Sequence, residues 1–220
     1  MKTIRFLLAA LLPWILSSCT VNRTLSYQQL DLRSDLQPGA STMVAFQDLR
    51  SVVISGKEKK SFCGHVNSTA QIGYNIQTKD GLPLSTDFAM SLARWLNDHG
   101  TTANYIVTEP DWSADSIIKM YIKDGKSRLF YFRIHEWESR ATPLFSTIRY
   151  EVKFEIQLQV FDVMGALLAT SEVIGSKEKE EGMAVSMKKL QDFSDNVLRN
   201  SLEDLLTKAS AKTISRTAPF

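Results

Sequence analysis

Ile148-Arg149-Tyr150-Glu151-Val152-Lys153-Phe154-Glu155-Ile156-Gln157-Leu158-Gln159-Val160 is the passage that decides the fold. Apolar and polar residues alternate without a break, which is the period of an extended strand with one face in a core and the other in water. Asp162 to Gly165 then turns the chain, and Ala166 to Ile174 returns as the neighbouring strand. Upstream, Ser116 to Lys123 and Lys126 to Trp137 flank Asp124-Gly125. A two-residue Asp-Gly loop supplies the positive φ angles of a tight hairpin, so these two stretches are expected to pair antiparallel.

Two helices complete the pattern. Ser85 or Thr86 caps the first, Phe88, Leu92, Trp95 and Leu96 share one face, and Gly100 ends it. The second spans about 186–209, where Leu190, Phe193, Val197, Ser201, Leu202 and Leu205 recur at three and four. Thr42 to Phe46 and Asn104 to Thr108 read as strands, and Lys177 to Gly182 as a charged link before the second helix. Between 48 and 85 no element is secure, although Val52-Val53-Ile54 and Gln71-Ile72-Gly73-Tyr74 leave room for short strands. A connection that long is functional, mobile or misread. The expected fold is therefore α+β, a two-layer sandwich in which a mostly antiparallel sheet of about five or six strands packs against two helices.

The start of the chain has a different character. Lys2 and Arg5 precede an apolar run from Phe6 to Leu16, and Ser17-Ser18-Cys19 follows. The run is too short to span a bilayer, which takes roughly 20 apolar residues. Charge, apolar segment and small residues in that order resemble a bacterial lipoprotein signal. That resemblance implies cleavage before Cys19, acylation of Cys19 and, since Thr20 rather than Asp follows, sorting to the outer membrane. The expected organisation is a signal peptide over 1–18, a lipid-anchored tether over 19–40, a single periplasmic domain over 41–210 and a frayed tail over 211–220. Phe220 at the end is read as coincidence with the terminal aromatic of membrane barrels.

Removing the signal takes two of the 26 basic residues and leaves 24 against 24 acidic ones. Near-neutral charge without a basic stripe argues against nucleic acid as a partner. With Cys19 acylated, Cys63 has no partner within the chain. It is either a buried small hydrophobe or an exposed thiol able to bridge two copies.

No reaction is specified. His65, His99 and His135 lack metal-ligand spacing, and Cys63-Gly64-His65 offers two ligands where a structural zinc site takes four. No Gly-x-Ser-x-Gly elbow and no phosphate-cradling glycine loop occurs. No catalytic, cofactor or metal residues are expected, and the chain is not expected to be an enzyme. His135-Glu136-Trp137-Glu138 reads as a solvated strand edge, and His99 as a helix-terminal residue suited to the macrodipole. The polar face carrying Arg149, Glu151, Lys153 and Glu155 is either simply wet or a docking face.

The lipoprotein signal, Asp48-Leu49-Arg50 after the first strand, Ile72-Gly73, the helix from Asp87 to His99 before Gly100, and the long hairpin before a final helix together resemble the YajG-type family of small Gram-negative lipoproteins. The layout is more remotely similar to auxiliary lipoproteins of envelope ABC transport systems. The anchor, the near-neutral charge and the absence of a catalytic constellation, rather than the first resemblance, point to a non-enzymatic module that holds the membrane through acyl chains on Cys19 and contacts an envelope component, expected to be a protein, by its open sheet face or its 48–85 segment. The second implies a carrier of phospholipid or another hydrophobic ligand, with an apolar groove between the first helix and the sheet near Trp95.

Overall fold

The computed structural model describes residues 23–217 except 29, 34–40 and 71, with the side chains of 212–217 also left undescribed. Cys19, Gln71 and residues 218–220 lie outside the described residues. Eight strands and four helices are described: β1 (Thr24–Leu25), β2 (Thr42–Asp48), α1 (Ser51–Ile54), β3 (Phe62–Asn67), β4 (Gly73–Thr78), α2 (Leu84–Asp98), β5 (Ala103–Ile106), α3 (Ala114–Asp124), β6 (Arg128–Pro143), β7 (Ile148–Asp162), β8 (Leu167–Glu181) and α4 (Met187–Thr217).

The class is α+β, but the sheet is larger and more mixed than the sequence suggests. β7 and β8 form the expected antiparallel hairpin, and β6 adds antiparallel to β7 to make a meander. Along its other edge β6 is parallel to β2 from Arg128 to Ile134 and to β3 from Ser139 to Ala141. β5 is parallel to β2, β4 is antiparallel to β3, and β1 is parallel to β4. The parallel pairing of β2 with β5 and with β6 follows from the connections, because α2 lies between β2 and β5 and α3 between β5 and β6, and a crossover returns the chain in the same direction.

Those two helices cover opposite faces. α2 and α4 pack with Val44, Phe46, Phe132, Ile134, Ile156 and Leu158 in the main core. α3 places Ile117 and Tyr121 against Met43, Ala45, Leu129, Tyr131 and Phe161 on the other side. β2 is therefore buried along its whole length, and the expected two layers become three at this end.

The segment 116–123 corrects the expected hairpin. The Ser113 side chain accepts a hydrogen bond from the Ser116 amide at 3.2 Å, and Gly125 closes the helix in the left-handed conformation at φ 68°. Asp124-Gly125 is thus a helix stop, which needs the same positive φ as a hairpin turn. Ile117, Ile118, Tyr121 and Ile122 look like strand residues by propensity, but a good cap and an i, i+4 buried pair prevail.

Other boundaries also move. The charged link 177–182 is largely strand, with Arg149 opposite Glu180 and Val152 opposite Lys177. The last helix runs on to Thr217, so most of the residues assigned to a frayed tail are helical. The 48–85 segment holds α1, β3 and β4. The described residues between Arg23 and Arg33, expected within the tether, pack on the domain: Leu25, Tyr27 and Leu32 are buried in the main core. The Tyr27 ring lies 4.8 Å from Phe88 and 5.7 Å from Trp137, edge to face in both cases, and the Trp137 indole N–H donates to its hydroxyl at 3.0 Å.

This N-terminal strap is held by polar side chains of both long helices. The Tyr27 amide donates to Asp87 Oδ2 on α2, and Gln191 on α4 accepts from the Ser26 amide while donating to the Ser26 carbonyl and to Asp195 Oδ1. Burial raises the pKa of Asp195 to about 7, opposed by the Gln191 hydrogen bond and reinforced by Asp192 and Asp87. A carboxyl with a raised folded-state pKa favours the fold most below its unfolded value of about 4. That contribution is withdrawn between pH 4 and the folded value of about 7. Asp195→Asn keeps the acceptor and removes the proton. Urea unfolding should therefore show its stability relative to the parent rising through this window and levelling above it. A difference independent of pH would show that Asp195 titrates normally.

Candidate functional site

β6 is the only described strand with three strand neighbours, because β2 and β3 lie end to end along one of its edges. Pairing with β2 stops at Ile134 and pairing with β3 begins at Ser139, so residues 135–138 form a fork with no strand on that side. β6 also carries an irregularity between Ile134 and Glu136 against β7. Backbone groups exposed at such a break must find other partners.

Asp48-Leu49-Arg50 supplies them. The Leu49 amide donates to the Ile134 carbonyl at 2.8 Å, and Arg50 Nη1 donates to the Trp137 carbonyl at 3.1 Å. The guanidinium is aimed by a two-point contact with its neighbour, Nε to Asp48 Oδ1 at 2.8 Å and Nη2 to Asp48 Oδ2 at 2.7 Å. Both side chains are only 3% exposed. The motif is a structural clamp.

A cleft of about 440 Å³ opens over the fork. Its one wall comes from the 48–85 segment (Ser51, Val52, Lys57, Glu58, Phe62 and His65), and the other from the polar face of the sheet (His135, Glu136, Glu138, Arg140 and Glu155). Glu138 Oε1 lies 2.8 Å from His65 Nδ1 and 2.7 Å from Arg140 Nη2. Burial works against the Glu138 carboxylate, but the hydrogen bonds from Arg140 and His65 outweigh it and hold its pKa below the usual range. Glu136 stands directly opposite Glu155 across the β6–β7 pair. Like charges so placed repel, and a cation brought into the cleft relieves them.

The fold joins two of the three scattered histidines, since His65 and His135 line this cleft. His99 does not join them: it stacks on Trp95 at 4.4 Å between ring centres, with Nδ1 2.8 Å from the Trp95 carbonyl oxygen. The segment His135–Glu138, expected at a solvated edge, lies in a central strand with Trp137 buried. Cys63 is fully buried next to the fork, and burial pushes its thiol pKa up. Among the described residues no group of three or more His, Cys, Asp and Glu side chains is placed to hold a metal ion.

The outer face of β7 is open along Arg149, Glu151, Lys153 and Glu155, and it is closed by α3 at the far end. Arg149 pairs with Glu180 at 2.9 Å and Lys153 lies 3.8 Å from Glu151, so this row is internally compensated. Trp95 itself fills the core between α2 and the sheet. An open depression of about 480 Å³ lies beside that helix, bounded by Met90, Arg94, Asn97 and Tyr105. A groove of about 550 Å³ instead lies between β8 and α4, with Phe154, Val173, Phe193 and Val197 at its base and Glu172 and Lys208 at its rim. Sequence reasoning missed both the fork cleft and this groove. The Asp-x-Arg spacing after β2 was the available signal for the first.

No protein-family model matches the chain. No curated protein matches it either. Several solved structures are similar in outline. A PelC dodecamer from Paraburkholderia phytofirmans aligns at 11% identity and TM-score 0.35, over 81% of this chain and 92% of that one. The LpoB C-terminal domain from Salmonella enterica aligns at 11% and 0.29, over 67% and 89%. Lipoprotein GNA1162 from Neisseria meningitidis aligns at 14% and 0.28, over 74% and 100%. Likeness at this level assigns no function. Among the described residues no helix is long and apolar enough to cross a membrane.

Proposed function

We propose that the chain is a lipid-anchored periplasmic lipoprotein of the outer membrane, acylated at Cys19, whose domain is a non-enzymatic binding or accessory module for an envelope protein. The YajG-type resemblance is the family reading that goes with it. The observation that carries the binding role is the fork cleft, where Glu136 opposes Glu155 beneath a wall of Lys57, Glu58 and Phe62. Paired carboxylates flanked by an aromatic side chain and by charges of both signs suit a protein surface that presents a Lys or Arg side chain. They provide neither an activated nucleophile nor a matched acid and base.

A second reading, a carrier for phospholipid or another hydrophobic ligand, is favoured by the apolar base of the β8–α4 groove. In-cell photocrosslinking separates the two. Probes at Lys57 and Glu136 should give a discrete protein adduct that a probe at Met164, at the other end of the sheet, does not give. Lipid adducts at a Phe193 probe, with no protein adduct in the cleft, would overturn the first reading in favour of the second.

A further inference from the structure

Exposed apolar side chains gather at both ends of the sheet: Val163, Met164 and Leu167 with Met120 and Ile122 at one, and a second group at the end where Arg23 lies over Tyr74. β6 and β7 meet there, Pro143 opposite Ile148, and the turn between them exposes Leu144 and Phe145. Phe145 is fully in solvent. β8 finishes at the same level, Glu181 opposite Ile148, and the link to α4 exposes Met183 and Val185. β3 runs parallel to β6, so its last residue, Asn67, also falls at this end with Gly73 opposite, and Ile72 and Tyr74 are exposed beside it. Such clusters on loop tips mark contact with a protein or a membrane, whereas isolated exposed apolar residues are ordinary.

The path of the chain decides between them. β1 is parallel to β4, Thr24 opposite Gln77, so Arg23 precedes it on the side of the same end. The Arg23 guanidinium sits 3.9 Å above the Tyr74 ring. Arg23 lies four positions after Cys19, a span of about 14 Å when extended. The turn at Val163 and Met164, at the other end of β7, is on the order of 50 Å away along the strand. Acyl chains on Cys19 therefore hold the Ile72, Phe145 and Met183 end against the headgroups and keep the Met164 end clear of them.

We propose that this end of the sheet seats on the lipid surface, with Phe145, Ile72 and Met183 entering the interface and Arg23 and Lys188 at headgroup level. The proposal rests on the reading of Cys19 as the acylated residue. Long basic side chains keep their charge in the headgroup layer while their stems cover apolar surface, and the Lys188 side chain is 83% exposed. The domain then stands on its own loop tips, with its fork cleft facing sideways into the periplasm.

The test uses the full-length acylated chain in vesicles of phosphatidylethanolamine and phosphatidylglycerol. An environment-sensitive fluorophore is attached at Phe145→Cys, at Ile72→Cys or, for the far end, at Met164→Cys. Cys63 is buried and stays unlabelled. Lipids with a nitroxide on the acyl chain should quench the labels at 145 and 72 and shift their emission to the blue, with no change at 164. Vesicle-bound protein whose intact mass includes the acyl chains, yet whose three labels are equally unquenched, would overturn the proposal and leave the anchor standing. An unacylated mass with no vesicle binding would overturn the anchor reading as well, and the mass spectrum tells the two failures apart.

Discussion

Gly64→Ala should disrupt the fold more than any other single methyl group added to the chain. A Cβ at this position would lie 1.7 Å from the Ser139 carbonyl oxygen and within 2.8 Å of the Ser139 nitrogen, both backbone atoms of the central strand. No rotamer relieves such a contact, so β3 and β6 must part. Ser139 Oγ lies 2.9 Å from Ser194 Oγ on α4 and 3.3 Å from the Tyr27 hydroxyl, and the displacement therefore reaches the strap and the helix. The expected loss exceeds about 4 kcal/mol, in the class of severe packing defects. Urea unfolding together with hydrogen exchange should show His65 and Val66 amides unprotected while the β7–β8 ladder survives, or the whole chain unfolded. Gly73→Ala serves as the control, because its added Cβ meets nothing nearer than 3.4 Å. Equal stability of the two variants would refute the close approach at the fork.

Arg50→Ala is the second large effect, with an expected cost of about 3–5 kcal/mol. The substitution leaves Asp48 buried without its two-point partner, and the Trp137 carbonyl loses its donor at the break between β2 and β3. Removing both charges is less costly than removing one, since the penalty lies in the unpaired carboxylate. The double variant Asp48→Leu with Arg50→Leu should therefore recover a good part of the loss in urea unfolding. A single-variant cost below about 1 kcal/mol, the range of surface ion pairs, would mean that the clamp is dispensable. Both substitutions act on the scaffold of the fork cleft, so any partner adduct at Lys57 should weaken with them.

How much of this was legible before the structure depends on the range of the interaction that fixes each feature. The β7 alternation was readable because the period of a strand is a local property of the chain. The α2 stripe and its Gly100 stop were readable for the same reason. The 116–123 helix was not, because an Asp-Gly pair satisfies both a hairpin turn and a helix end, and only the buried face of Ile117 and Tyr121 against β2 and β6 chooses between them. The strap from Arg23 to Arg33 looked like a polar tether because three apolar residues in it, Leu25, Tyr27 and Leu32, have no local period. Their burial depends on α2, α4 and the sheet, which are distant in sequence.

The candidate site shows the same division. Asp48-Leu49-Arg50 was visible as a motif, but its role as a clamp needs the Trp137 carbonyl, 87 residues away. His65 and His135 lie 70 positions apart in the sequence and line one cleft only because β3 docks beside β6. By itself the sequence determined the α+β class, the β7–β8 hairpin and the helical stripes, all of which are written in short-range periodicity. The tertiary structure alone decided the parallel half of the sheet, the fork and its cleft, and the burial of Leu25, Tyr27 and Leu32. Those follow from which distant surfaces bury one another, and no local pattern encodes that.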